Sequence, residues 1–594
     1  MTYRAPIADI RFVLNELAGL NEVAALPGNE DVNPELVDAI VEEAAKLAEN
    51  VIAPLNKIGD QHGNKLNDGV VTTAPGFKAA YQQFAENGWV SLGVSPEYGG
   101  QGMPGLVSMA TEELWCASNV AFSLCPLLTL GALEALSHHA SDEIKATYLP
   151  KMASGEWTGT MNLTEPQAGS DLAQVRSKAV PVGDGTYKIS GQKIFITWGE
   201  HDMVENIVHL VLARLPDAPA GVKGISLFVV PKFLVNADGS LGARNDVKCV
   251  SIEHKLGIHA SPTCVMSYGD QGGAIGYLVG EANKGLSYMF TMMNAARLGV
   301  GVEGMAIAER AYQQAVWYAK DRVQSRELGS DDPAPVAIIK HPDIRRMLMT
   351  MKAQIEAQRA LTYFTGAALD KAGSHPDANE KAKWQAVVNF LIPIVKGWNT
   401  EQVNEIASLG VQIHGGMGFI EETGAAQHLR DARITAIYEG TTGIQALDLI
   451  GRKTAMERGM TAKALLGEAE AVAGKLKAAG LAEMGDALNA ALVHARSTTD
   501  YVVGQFGEQP RAVAAGSVPF LKLMGIVLGG WQLGRAALVA KQKLADGEGD
   551  AAFFEAKLIT ARFYADHLLP QTGGLAAAIL NGAASVMALP DEAF

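Results

Sequence analysis

Residues 175–197 read VRSKAVPVGDGTYKISGQKIFIT, two runs of strand-forming residues around Gly183-Asp184-Gly185. A Gly-Asp-Gly break between alternating β-branched and aromatic residues is a hairpin signal, because glycine and aspartate supply the turn conformations a hairpin needs. Downstream, IVHLVLARL (207–215) and GISLFVVPKF (224–233) are further β-rich runs of strand length. Helical periodicity lies on both sides of this segment. Asn33 and Pro34 form a cap and first turn, and Leu36, Ile40, Ala44, Leu47 and Val51 follow at three- or four-residue spacing, predicting one apolar helix face. A further helix is expected from Ser141 to just before Pro150, and SPEYGGQGMPG (95–105) reads as a loop. After the β segment, GLSYMFTMMNAARL, AERAYQQAVWYAKDRV and DIRRMLMTMKAQIEAQRALTYF predict long bundled helices. Beyond residue 455 the chain is Ala-rich and helical, with a Gly/Asp/Glu loop at 546–550. The expected fold is therefore α+β, in four parts: an N-terminal helical domain (1–157), a β domain (158–283), a helical bundle (284–454) and a helical extension (455–594).

Composition narrows the function. The 594 residues carry 49 Lys and Arg against 64 Asp and Glu, a net charge of −15. Such a surface repels phosphate backbones and anionic lipid, so neither nucleic acid nor a membrane is expected as the main partner. Four cysteines without a CxxC pair (Cys116, Cys125, Cys249 and Cys264) suit reduced thiols, and the first residues lack a secretory pattern, so a cytoplasmic location is expected. The apolar run Val518–Ala540 is interrupted by Lys522, Gln532 and Arg535, which favours a buried helix over a membrane span. No metal site is expected, since His138 and His139 are adjacent and lack a ligand cluster at metal-site spacing. GVGVEG (299–304) matches a dinucleotide fingerprint only in letters, because it sits inside a helical stretch; its glycines predict close helix packing.

Two segments resist a pure packing explanation. MNLTEPQAGSDL (161–172) gathers hydroxyls and small residues in a loop between the helical and β domains, as a phosphate or polar heterocycle would require, although an ordinary turn explains it equally well. TAIYEGTTGIQ (435–445) places Glu439 before Gly-Thr-Thr, which taken alone reads as a helix start with a carboxylate favoured by the dipole.

Taken together, YLPKMASGEWTGTMNLTEPQAGSDL, YKISGQKIFITWG, ARLGVGVEGMAIAERA, VQIHGGMGF and RDARITAIYEGTTGIQ resemble the acyl-CoA dehydrogenase family in its own order, over residues 36 to 452. The N-terminal RAPIADIRFVLNEL and the C-terminal extension resemble a bacterial branch that includes dehydrogenases of 3-methylthiopropanoyl-CoA (dimethylsulfoniopropionate catabolism) and of fatty acyl-CoAs. The resemblance implies a β-barrel-like middle domain and FAD-dependent α,β-dehydrogenation of an acyl-CoA thioester to the 2-enoyl-CoA. Medium- or long-chain fatty acyl-CoA is the alternative substrate to the methylthio compound. An acyl-CoA oxidase and a non-catalytic DNA-binding flavoprotein are the further rivals; the 10 basic against 13 acidic residues in 465–594 oppose the latter.

The family further implies Glu439 as catalytic base. Ala296 occupies the alternative base position of some members. Met161, Leu163, Thr164, Ser170, Phe195, Thr197 and Thr441 are implied around the flavin, and Arg322, Gln412, Gly415 and Gly416 at the adenine half of FAD on a neighbouring subunit. Ser170, Asn294, Arg297 and Gly440 are implied at the acyl-CoA. Gln167, Asn294 and Gly443 depart from the family's usual glycine, aspartate and glutamine. A homodimer and electron-transfer flavoprotein as acceptor complete the expectation.

Overall fold

The computed structural model describes residues 3–594. Helix α1 (Pro34–Leu47) opens as the sequence predicts, with the Asn33 side chain accepting the Leu36 N–H at 2.9 Å. Its buried stripe is turned one residue from the expected one. Val37, Val41 and Ala44 are fully enclosed, whereas Leu36 is exposed. Helix α2 (Gly105–His139) is broken at Asn119, whose backbone leaves the helical region and whose side chain accepts the Phe122 N–H, restarting the helix before Pro126. Helix α3 (Asp142–Ala153) does not stop before Pro150 as expected. Ser154 and Gly155 donate to the Pro150 and Met152 carbonyls, so the proline sits in the closing turn and its carbonyl serves the C-terminal cap.

The β domain contains β1 (Trp157–Asn162), β2 (Lys178–Pro181), β3 (Tyr187–Thr197), β4 (Asn206–Ala213), β5 (Ser226–Pro231), β6 (Val247–Ile252), β7 (Thr263–Tyr268) and β8 (Ala274–Leu278). Their order is β6-β7-β3-β8-β5-β4-β1, with β2 also on β3. Only β1 and β4 run parallel. A bridge between Lys178 and Arg214 carries β2 back to the end of β4, closing the ring β2-β3-β8-β5-β4. Ile189, Val211, Phe228, Val230 and Met266 fill its core, which gives the barrel-like form.

The bundle consists of α4 (Gly285–Asp321), α5 (Pro342–Ser374), α6 (Ala378–His414), α7 (Ala425–Ala432) and α8 (Thr442–Ile450). The GVGVEG glycines lie within α4, where added Cβ atoms would meet Leu127 at Gly299, Val395 at Gly301 and the Asn399 backbone at Gly304, at 2.5, 2.6 and 3.0 Å. They permit close packing and form no nucleotide loop. At the bundle centre Arg359 pairs with Glu113 and Glu309 at 2.6 and 2.9 Å, joining α5 to α2 and α4. The extension adds α9 (Met460–Ala478), α10 (Ala482–Gln505), α11 (Ser517–Asp546), α12 (Ala551–His567) and α13 (Gln571–Asn581). Helices α2 and α11 are long and apolar enough to cross a membrane by length and composition, but both are mostly buried within the protein. Gly525 and Gly529 of α11 close on Trp398 of α6, and Lys557 of α12 bonds Asp9 and Glu356.

Candidate active site

The segment 437–441 joins a 3₁₀ turn to the start of α8. Glu439 and Gly440 both take positive φ, 54° and 87°, so the chain reverses sharply at two successive residues. Only glycine does this without strain; at Glu439 the conformation costs on the order of 1–3 kcal/mol and is held by its surroundings. Thr441, not Glu439, is the cap of α8, its hydroxyl accepting the Ile444 N–H at 3.2 Å. The Gly440 carbonyl accepts from Lys396 Nζ at 2.7 Å, and the Glu439 carbonyl accepts from Gln445 at 3.2 Å. Tyr438 donates its hydroxyl to Glu303 on α4. Among the described residues the Glu439 N–H bonds to no carbonyl, which leaves it free to meet a ligand oxygen.

Electrostatics set the carboxyl apart. Burial raises the Glu439 pKa to about 7, against the pull of Arg297 and Lys396, which lower it. Both cations are themselves buried. Desolvation pushes Lys396 down to about 8, opposed by Glu439 and Glu303, and it lowers Arg297 as well. Near neutral pH the group is therefore divided between acid and carboxylate, and the carboxylate has unusually high basicity, fit to accept a proton from carbon.

A cavity of about 890 Å3 is bounded by α2, α4, α5 and α6 and lined among others by Trp115, Leu127, Asn294, Ala295, Leu298 and Ile392. Its wall includes Leu298, next to Arg297 in the chain, and Ile392, one turn before Lys396, so the helices that carry both cations also line the cavity. Neither Met292 nor Met293 is among its lining residues: Met292 packs on Gly131 and Met293 against the core beneath.

In the β domain, a bulge in β3 exposes an aromatic ring. Thr197, Ile196 and Lys193 pair with Thr263, Cys264 and Met266, so Ile194 and Phe195 together oppose Val265. Phe195 takes φ 60° and its side chain is 59% exposed, which is how a bulge re-aims a side chain out of a sheet. Met161 and Thr164 lie partly exposed nearby, and the Thr164 carbonyl accepts the Ile194 N–H at 2.9 Å. Leu163 is buried, with its carbonyl bonded to Lys193 at 3.0 Å, and Ser170 is exposed on the loop. Glu165 anchors the loop by accepting from Lys193, Ser177, the Arg176 N–H and Gln167. The departure Gln167 is thus accounted for: its amide binds the anchoring carboxylate at 2.6 Å.

Arg322, Gln412, Gly415 and Gly416 form a separate, exposed patch. Tyr318, one turn before Arg322, stacks on His414 at 4.3 Å and brings the two segments together. Gly415 has φ 59° and nothing within 4 Å of an added Cβ, so a ligand can approach its backbone.

Four family models match in sequence order: the acyl-CoA dehydrogenase N-terminal domain over residues 34–156, its middle domain over 160–270, its C-terminal domain over 283–455, and an acetyl-CoA dehydrogenase C-terminal-like domain over 465–590. The chain belongs to the acyl-CoA dehydrogenase family. It is 52% identical to 3-methylmercaptopropionyl-CoA dehydrogenase of Ruegeria pomeroyi, over 96% of both chains. It is 36% identical to a butyryl-CoA dehydrogenase of Syntrophomonas wolfei, covering all of this chain and 99% of that one. An acyl-CoA dehydrogenase from Bacillus anthracis, solved with FAD, shares the fold with a TM-score of 0.74 at 22% identity, over 96% of this chain and 91% of that one.

The protein is thus an FAD-dependent oxidoreductase acting on the CH–CH bond of acyl-CoA thioesters. The residues present fit the cofactor: an outward apolar ring at Phe195, hydroxyls at Thr164 and Thr197, and an open glycine backbone at Gly415 suit a flat heterocycle with a polar tail.

Sequence reasoning missed Lys396 and Glu303, which stand far from the base segment in the chain; Lys396 belongs to no local motif, and Glu303 lies within GVGVEG, whose glycines alone drew a reading. The role of Lys396 is open to direct measurement. The infrared carbonyl stretch of protonated Glu439, assigned by subtracting a Glu439→Gln variant, should titrate near pH 7. Lys396→Met removes one of the two cations that lower this pKa, so the midpoint should move to higher pH, and Lys396→Arg should return it toward the original. An unmoved midpoint in Lys396→Met would contradict the pairing.

Proposed function

We propose that this enzyme oxidises a short acyl-CoA, 3-methylthiopropanoyl-CoA, to the 2-enoyl thioester, with Glu439 removing the α-proton. The observation that carries the substrate is the 52% identity to the R. pomeroyi enzyme along nearly the whole of both chains. Butyryl-CoA is the second reading, supported by the full-length S. wolfei relative at 36%; medium- and long-chain acyl-CoAs stand behind both.

The chemistry follows from the groups present. An α-proton beside a thioester is too weakly acidic for water to remove quickly, and a desolvated carboxylate is a stronger base than a solvated one. Burial gives Glu439 that strength, while Arg297 and Lys396 keep it ionised often enough to act. The unengaged Glu439 N–H is a donor for the thioester oxygen, where negative charge develops as the proton leaves. Gln445 and Lys396 hold the carbonyls of Glu439 and Gly440, which follow that N–H in the chain, and the hydroxyl of Tyr438, which precedes it, is held by Glu303. FAD, when bound, supplies the hydride acceptor. Met161, Thr164, Phe195, Thr197 and Thr441 would hold its flavin, and Arg322, Gln412, Gly415 and Gly416 the adenine half of a second copy's cofactor. Ser170, Asn294, Arg297 and Gly440 would orient the acyl-CoA.

A cofactor site shared in this way requires a homodimer. In support, the patch that carries Gly415 also exposes Phe419, Met417 and Trp317, an apolar surface of the kind a partner covers. Electron-transfer flavoprotein is the proposed acceptor, on the family's pattern.

A panel of acyl-CoAs from three to sixteen carbons plus the methylthio compound, assayed with electron-transfer flavoprotein and with oxygen alone, tests the reading. Turnover should be highest on 3-methylthiopropanoyl-CoA, fall beyond about six carbons, as a methylene is discriminated by about 1–3 kcal/mol, and depend on the flavoprotein. Preference for octanoyl-CoA or longer, or equal turnover on oxygen, would overturn it. Sedimentation should give the mass of two chains, and a mass of four would contradict the dimer.

A further inference from the structure

Three carboxyl groups stand on the wall of the cavity between α2, α4 and α6: Glu112, Glu134 and Asp370. Two are engaged. Glu134 bonds His138 at 2.9 Å, and Asp370 accepts the Gly105 and Leu106 N–H groups that begin α2, at 2.7 and 2.9 Å. Glu112 differs, because among the described residues its Oε1 is enclosed and has no hydrogen-bond partner. A buried polar atom left in this state is unusual in a folded protein and marks either a cost or a ligand-facing role.

Its placement favours the second. Glu112 projects from α2 toward α4 at Gly299, two residues past Arg297. A methyl group on Gly299 would lie 2.8 Å from Glu112 Oε1, so the glycine makes the space that the carboxyl occupies. One turn further along α4 is Glu303, bonded to Tyr438, the neighbour of Glu439. The charges of Glu112 and Glu439 both act on Glu303, so Glu303 links Glu112 to the cluster of the base. Burial raises its pKa to about 7, so a large share of the group carries its proton at neutral pH and can donate an O–H.

We propose that Glu112 is the specificity-determining residue of this cavity: its unpartnered carboxyl accepts a short acyl group bearing a hydrogen-bond acceptor and excludes a long alkyl chain. The inference rests on the proposed acyl-CoA activity, with the acyl chain running past Asn294 into this cavity. A thioether sulfur is a weak acceptor for the carboxylic O–H. A methylene in its place leaves the carboxyl desolvated and unpaired, and sites built around a polar group reject such analogues more strongly than apolar pockets reject an extra carbon.

3-Methylthiopropanoyl-CoA and pentanoyl-CoA differ only by sulfur against methylene, so their kcat/KM ratio isolates this contact; octanoyl-CoA reads chain length. All three are assayed on the FAD-loaded wild type, Glu112→Gln and Glu112→Leu, with flavin content as the folding control. Wild type should favour the thioether over pentanoyl-CoA by about tenfold, within the range one group discriminates. Glu112→Gln keeps a donor and should retain most of that ratio. Glu112→Leu should bring it near one and raise kcat/KM on octanoyl-CoA by about tenfold or more. Both ratios unchanged in Glu112→Leu would overturn the assignment. A wild type that prefers pentanoyl-CoA, with octanoyl-CoA still gained in Glu112→Leu, would instead sink the methylthio substrate while upholding exclusion of long chains by Glu112.

Discussion

Withdrawing the Glu439 carboxylate from water is the constraint to which the surrounding architecture answers. Desolvation alone would leave the group protonated at neutral pH and useless as a base. Arg297 and Lys396 oppose that tendency, yet each is a buried cation with its own desolvation cost. A buried charge is tolerable only when opposite charges and polar partners are held in place around it. Lys396 meets this condition through Gly440, and Glu439 meets it through a backbone reversal at positive φ that Tyr438, Gln445 and the α8 cap fix from both sides.

Such a cluster needs rigid supports, and the fold provides them at several distances. The glycines of α4 let α6 approach closely, which brings Lys396 beside Gly440. The buried Arg359 pairs with Glu113 and Glu309, while Tyr363 donates to Glu113 at 2.7 Å, so α2, α4 and α5 meet at one point. From the opposite side α11 seats Gly525 and Gly529 on Trp398, two residues beyond Lys396. The C-terminal extension thereby buttresses the helix that carries one of the two cations. Its effect on the site runs through packing, with no residue of the extension among those lining the cavity.

Much of this was legible in the sequence, for reasons that differ by feature. Strand and helix periodicities marked the order of helical, β, helical and helical parts, since local burial patterns repeat along the chain. Asn33 and Pro34 announced a helix start by their own chemistry, and the GVGVEG glycines announced close packing because no strand preceded them. Long-range geometry was not legible. The stripe of α1 is turned by one residue because the neighbouring helices, not the spacing alone, choose the face that is buried. Helix α3 runs through Pro150, one turn from its end, and forgoes there the hydrogen bond that a proline cannot donate to the Ala146 carbonyl. The bulge that exposes Phe195 depends on its pairing with β7, and the loop role of Gln167 depends on Glu165 being within reach. Glu112, Glu303 and Lys396 come from three separate helices and converge only on folding. TAIYEGTTGIQ by itself suggested a helix cap; the structure gives the cap to Thr441 and leaves Glu439 turned among two buried cations.

The role of that carboxylate is tested most directly by mixing FAD-loaded Glu439→Gln with acyl-CoA in the absence of oxygen and following flavin absorbance. The account predicts a variant that keeps its FAD and shows the spectral perturbation of bound acyl-CoA, but bleaches slower than wild type by about 10²–10⁴-fold or more, the contribution of a positioned base. Bleaching within a few fold of the wild-type rate would contradict it.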